Sequence, residues 1–85
     1  MVTRETVIAE CNAFLEEIFK ERGAELADVP HDAHLVRRGF LDSMEMLELV
    51  SVLEEKFDVE FDFSGEDPDK IMTMNGLVAY CQARR

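Results

Sequence analysis

A chain of 85 residues has room for one compact domain, and a domain of this size buries only ~60–65% of the surface that its unfolded form exposes. Its 47% apolar content can fill one core but leaves little room for an enclosed catalytic pocket built from several independent elements. Nineteen acidic against nine basic residues give a formal charge of -10, which sets the chain against nucleic acid and anionic lipid and in favour of basic protein surfaces.

The first predicted element follows Thr3. Val7, Ile8, Cys11, Phe14, Leu15, Ile18 and Phe19 recur at helical spacing, with Glu5, Glu10, Glu16, Glu17 and Lys20 between them. A helix is therefore predicted from about Thr3 to Glu21, with Thr3 or Glu5 serving its first amides and Gly23 ending it near Arg22. Residues 23–42 hold Gly23, Pro30 and Gly39 and no sustained period. Their isolated apolar residues predict a long connection that packs onto the bundle, anchored by Leu26 and Leu35.

A second helix is predicted from Ser43 to about Phe57, with Asp42 as N-cap and Glu45 at the capping-box position. Met46, Leu49, Val50, Leu53 and Phe57 form one stripe at core spacing. Met44, Leu47, Glu48, Ser51 and Glu55 form another, which mixes apolar and acidic residues as partner-docking surfaces do. The alternative for that stripe is that Met44 and Leu47 tuck under the preceding loop.

Val59, Phe61 and Phe63 alternate with Glu60 and Asp62 in the manner of a strand. A single strand would lack a partner, so an extended link is predicted, with Val59, Phe61 or Phe63 plugging the core. Glu66 to Met72 reads as a short helix with Pro68 in its first turn. Thr73 then caps a last helix that carries Leu77, Val78, Tyr80 and Cys81 inward and ends on Arg84 and Arg85. The predicted architecture is all-α, one domain over residues 1–85, with three main helices, one short helix and a long loop between the first two. Cys11 and Cys81 fall on apolar faces, outside any C-x-x-C pair, and read as reduced core residues. The chain opens at Met1 without a basic-then-apolar leader and its apolar runs are short, which points to a cytoplasmic protein with no membrane insertion; a monomer is expected.

The segment Gly39-Phe40-Leu41-Asp42-Ser43-Met44-Glu45 carries the chemistry. A serine in the first turn of a helix lies near unpaired amides and the positive end of the dipole, which favours a phosphate ester there. Gly39 would let the loop approach closely, and Asp42 would set the helix start. By itself a serine in this place is usually only part of a cap.

From Asp42 to Glu60 the chain resembles the acyl carrier protein family, with Asp42-Ser43-Met44 matching that family's Asp-Ser-Leu start. Glu48-Leu49-Val50 and Leu53-Glu54-Glu55-Lys56-Phe57 resemble its helix, and Lys70-Ile71-Met72-Thr73-Met74 resembles its entry to the last helix. The resemblance spans nearly the whole chain. It implies an acyl-carrier-like four-helix bundle in fatty acid or secondary metabolite biosynthesis. Ser43 would receive 4'-phosphopantetheine from CoA through a phosphopantetheinyl transferase, and Asp42 would help to position it. The second helix would dock partners through Met44, Glu45, Leu47, Glu48, Glu54 and Glu55. Those partners would be the transferase and an acyl- or aminoacyl-loading ligase, synthase or transferase with a basic docking surface. Such a protein is a carrier and not an enzyme, since the reactive thiol belongs to the cofactor.

Arg37-Arg38 stands where fatty-acid carriers have acidic residues, and Phe40-Leu41 replaces their small pair. Gly-Phe-Leu-Asp-Ser is similar instead to D-alanyl and other specialised carriers. Housekeeping carriers shelter long chains between their second and third helices; here Met46 and Phe61 or Phe63 would fill that space and leave room only for short or polar cargo. Three other readings fare worse. Glu60, Asp62, Ser64 and Gly65 suggest a calcium loop, but Ile71 stands at its twelfth position. His31 and His34 have no cysteine nearby and read as solvated rather than as metal ligands. A hydrolase using Ser43 would have only those histidines as base and shows no G-x-S-x-G turn. The rival from another class is an acidic helical protein-interaction module without a prosthetic group.

Overall fold

The computed structural model describes residues 2–26, 28–61 and 67–83. Four helices follow in order: α1 (Arg4–Glu21), α2 (Ser43–Phe57), α3 (Pro68–Ile71) and α4 (Met74–Ala83). Among the described residues all regular structure is helical, as the sequence predicts, and α1 packs against both α2 and α4.

Each main helix starts where a side chain can accept its first amides. The Thr3 hydroxyl accepts from Thr6 N–H while the Thr6 hydroxyl accepts from Thr3 N–H, so a threonine pair forms the box at α1. Thr3 is thus the cap and Arg4 the first helical residue. At the other end Gly23, with φ at +71°, lets its own amide reach Lys20 O and that of Ala24 reach Phe19 O. In α4 the Thr73 hydroxyl accepts from Gly76 N–H at 2.9 Å. α2 ends on Asp58, which adopts the left-handed conformation usually given to glycine, and Val59 then folds back into the core with its amide on Glu54 O.

The core draws on every element. α1 supplies Val7, Cys11, Leu15 and Ile18, and α2 supplies Met46, Leu49, Val50 and Leu53. α4 supplies Met74 beside the four residues read as inward-facing. Phe14 and Phe57, read as core, are only half-buried at its margin. The long connection packs as predicted, with Leu35 fully buried and Leu26 half-buried, but Ala33 and Leu41 are buried too. Backbone bonds pin it in place: Leu35 N–H donates to Met72 O, Asn75 N–H to His31 O and Leu41 N–H to Leu35 O.

One reading is corrected. The short helix spans only Pro68–Ile71, because Thr73 turns its hydroxyl onto Lys70 O and caps the next helix at once. The link after α2 packs as expected: Val59 plugs the core, and Phe61 lies half-buried against Tyr80, ring centroids 4.5 Å apart and nearly parallel, with its amide donating to Glu54 Oε2. Of the two histidines, His31 is exposed with an Arg4 guanidinium nitrogen 3.0 Å from its Nδ1, and His34, half-buried, accepts from Arg37 N–H at Nδ1. Readings that rest on residues 62–66, on Arg84 or on Arg85 lie outside the described residues. Gly76 went unremarked in the sequence; a Cβ there would stand 1.8 Å from Lys70 O, so α3 lies directly on α4 only because position 76 has none.

Burial gives the two core cysteines a pH signature. It pushes the Cys11 thiol from 9.0 up to about 12, with Cys81 and Glu10 adding to the effect, and the Cys81 thiol up to about 11. Above pH 9 the unfolded chain therefore releases thiol protons that the native fold retains, so stability present below pH 9 is lost as pH rises towards 11–12. Urea unfolding across this range should show that decline. The Cys11→Ala, Cys81→Ala double variant should show a shallower one; an equal slope would contradict the assignment.

Candidate functional site

Ser43 is the first helical residue of α2, and it is exposed. Asp42 Oδ1 accepts from Glu45 N–H at 2.7 Å, and Glu45 Oε1 accepts from Asp42 N–H at 2.9 Å. These reciprocal bonds satisfy two groups that a helix start otherwise leaves to solvent, and they fix the turn that carries Ser43. The network extends to α1. Arg22 pairs with Glu45 Oε1, donates to Phe40 O at 3.4 Å and lies 5.3 Å from the centre of the Phe19 ring. Arg22 is thus a positioning residue of this turn that sequence reading missed, because its partner is 23 positions away.

Gly39 has φ at +82°, and its amide reaches Val36 O. Nothing lies within 4 Å of where a Cβ would stand. Glycine is needed here for the backbone conformation and not, as expected, for close approach.

The outer face of α2 carries the mixed apolar and acidic stripe read from the sequence. Met44 and Leu47 are 66% and 53% exposed, so neither tucks under the loop, and Glu48, Ser51 and Glu55 are exposed beside them. The other two carboxylates are committed within the fold: Glu45 to the cap and Arg22, Glu54 to the Phe61 amide.

Beside Ser43 lies an open groove of about 340 Å³. Met46, Leu47 and Val50 of α2 form one apolar side, and Met72 and Val36 add to it. His34, Arg37 and Asp69 complete the lining. Bulky side chains were expected to fill this space. Met46 instead forms part of its wall, and Phe61 is absent from the lining because it is stacked on Tyr80; Phe63 lies outside the described residues. A larger hollow of about 660 Å³ lies between α1 and a wall that includes Leu26, Val29 and His31, and Ser43 has no part in it.

Ser43, His34 and Asp69 share one groove, which invites comparison with a nucleophile–base–acid triad. The imidazole is turned the wrong way for that chemistry. Its Nδ1 accepts the Arg37 amide, and its Nε2 lies 3.6 Å from Asp69 Oδ1, so neither nitrogen faces the serine as an unprotonated base. Among the described residues no three His, Cys, Asp or Glu side chains are grouped to hold a metal ion, and no helix is long and apolar enough to cross a membrane.

The fold and site together define a small acidic helical bundle that presents one serine at a capped helix start, beside an apolar groove. No family model matches the chain, and no solved structure matches it. Curated relatives do. An acyl carrier protein of Desulforapulum autotrophicum is 32% identical over 65 residues, covering 76% of this chain and 82% of that protein. One of Chlamydia felis is 29% identical over 68 residues, 80% and 85% of the two chains. One of Helicobacter hepaticus is 43% identical over 44 residues, 52% and 55%. The chain belongs to the acyl carrier protein family.

Because Asp42 supplies the cap and Ser43 does not, the two positions should differ in their effect on folding. Asp42→Ala should cost ~0.5–2 kcal/mol in urea unfolding, whereas Ser43→Ala should stay within ~0.5 kcal/mol of the parent. Equal losses would mean that the serine, too, holds the turn.

Proposed function

We propose that this chain is a carrier in which Ser43 is esterified to 4'-phosphopantetheine and presents an acyl or aminoacyl group as a thioester. The observation that carries the reading is an exposed serine held by a reciprocal cap at the start of α2, next to an open apolar groove. The residues present suit the group. The hydroxyl is accessible, the first turn of an α-helix favours a phosphodiester, and the groove gives apolar cargo a place out of water. When bound, the group supplies the terminal thiol; the protein contributes attachment, position and shelter.

On this reading residues 1–85 act as one monomeric carrier domain in the cytoplasm, where a phosphopantetheinyl transferase modifies Ser43 with the help of Asp42. A loading ligase, synthase or transferase with a basic surface then docks on Met44, Leu47, Glu48 and Glu55. Glu45 and Glu54 were counted with that surface, but each is occupied inside the fold, so they contribute less to docking. Arg37-Arg38 and Phe40-Leu41 support a place among the specialised carriers, D-alanyl carriers included, rather than the housekeeping fatty-acid ones.

Incubation with CoA and a broad-specificity transferase tests the attachment. Intact mass should rise by one phosphopantetheine in the parent and not at all in Ser43→Ala. No gain by the parent would favour the unmodified interaction module, and a gain by the variant would place the site elsewhere. Docking is tested separately. Glu48→Lys should slow modification several-fold at low salt while leaving thermal unfolding nearly unchanged, and added salt should slow the parent in the same way. Equal initial rates for the two proteins at low salt would exclude Glu48 from the contact.

A further inference from the structure

We propose that the groove beside Ser43 selects cargo with an apolar stem and an anionic end, and that Arg37 is the residue that reads that end. The inference rests on the reading that Ser43 carries a thioester-bound group.

The groove is not uniformly apolar. Met46, Leu47, Val50 and Met72 would take a hydrocarbon stem, but the remaining lining holds the chemistry of an ion pair. Arg37 Nη2 donates to Asp69 Oδ1 at 2.8 Å, and His34 Nε2 lies 3.6 Å from the same oxygen. Since His34 Nδ1 accepts the Arg37 amide, the proton of a neutral ring sits on Nε2 and points at Asp69. Arg37 therefore holds that oxygen by a hydrogen bond, and the His34 ring stands just beyond hydrogen-bond distance of it. A guanidinium carries five N–H groups in a fork, and its bond to Asp69 uses one of them.

An incoming carboxylate can engage that fork through both oxygens, a stronger arrangement than the one-oxygen contact with Asp69. Release of Asp69 is easy, because its side chain is 58% exposed and can return to water. An incoming ammonium fares worse: among the described residues of the lining, Asp69 supplies the only carboxylate, and its charge is already paired with Arg37 and approached by His34. The chain's overall charge of -10 repels a carboxylate in general, but exposed charges beyond a Debye length of ~8–10 Å are screened, and the local pairing decides. The same guanidinium could instead meet the phosphodiester at Ser43, so the test must separate the two anionic groups.

The test loads the protein from CoA thioesters with octanoyl, ω-carboxyoctanoyl and ω-aminooctanoyl groups, alongside the form bearing the thiol alone. Melting temperature, the Arg37 side-chain Nε–H signal and the amides of His34, Asp69 and Met72 are followed. The carboxylated cargo should melt roughly 2–5 °C higher than the plain chain, the size of one part-exposed charge pair in a domain this small, and should move the Arg37 signal. Arg37→Gln should abolish both differences, and Asp69→Asn should keep them. Equal responses to carboxylated and plain cargo overturn the inference. So does a response to the amino cargo that Asp69→Asn removes, and so does an Arg37 signal already fully moved in the thiol form, which would assign the guanidinium to the phosphodiester. If no mass is gained at all, the carrier reading fails and the inference falls with it; mass gained without discrimination defeats the inference alone.

Discussion

The reciprocal bonds between Asp42 and Glu45 are the constraint on which the rest of the site depends. A helix start leaves amides without intrahelical partners, and the way they are satisfied decides where the first residue points. Here Asp42 takes the Glu45 amide, Glu45 takes the Asp42 amide, and Arg22 clamps the Glu45 carboxylate from α1. Ser43 sits inside that closed set of contacts with its side chain exposed, so its hydroxyl stays at the surface at a defined height. A modifying enzyme would meet the serine in one position instead of having to capture it from a fraying end.

This constraint also divides the labour among the carboxylates of α2. One turn of helix separates residues that serve the fold from residues that face outward. Glu45 and Glu54 satisfy backbone amides, while Glu48 and Glu55 remain exposed beside Met44 and Leu47. The opposite face of the same helix supplies Leu49 and Leu53 to the core and Met46 and Val50 to both core and groove. A single helix thus carries the proposed attachment point, one wall of the groove and the exposed apolar-acidic stripe, as the proposed carrier role requires.

What could be read in advance follows the range of the interactions. The extent of α2, its cap and its buried stripe were legible because each depends on neighbours within four residues: a 3.6-residue period, and Asp followed three positions later by Glu. The same is true of α1 and of the two core cysteines. The clamp from Arg22 to Glu45, the pair Arg37–Asp69 and the stacking of Phe61 on Tyr80 join residues 19 to 32 positions apart, and no local pattern announces them. Phe61 shows the consequence. Its alternation with Val59 was visible, but whether it would fill the groove or leave it open turned on Tyr80 and on Glu54, which holds its amide. Gly39 was noticed for the right residue and the wrong reason, since only the backbone dihedral, and not the sequence, tells a left-handed turn from a crowded one.

Native-state amide hydrogen exchange at Asp42 and Glu45 tests the central claim most directly, because these N–H groups are the ones the cap is said to hold. If the reciprocal bonds and the Arg22 clamp fix the Ser43 turn, both amides should exchange slowly, with protection approaching that of Leu49 inside α2, and Arg22→Ala should lower it at these two positions more than at Leu49. Exchange of Asp42 and Glu45 at the rate of an unstructured loop, in protein that is otherwise folded, would contradict the account: the serine would then be carried on a fraying helix end and not on a fixed turn.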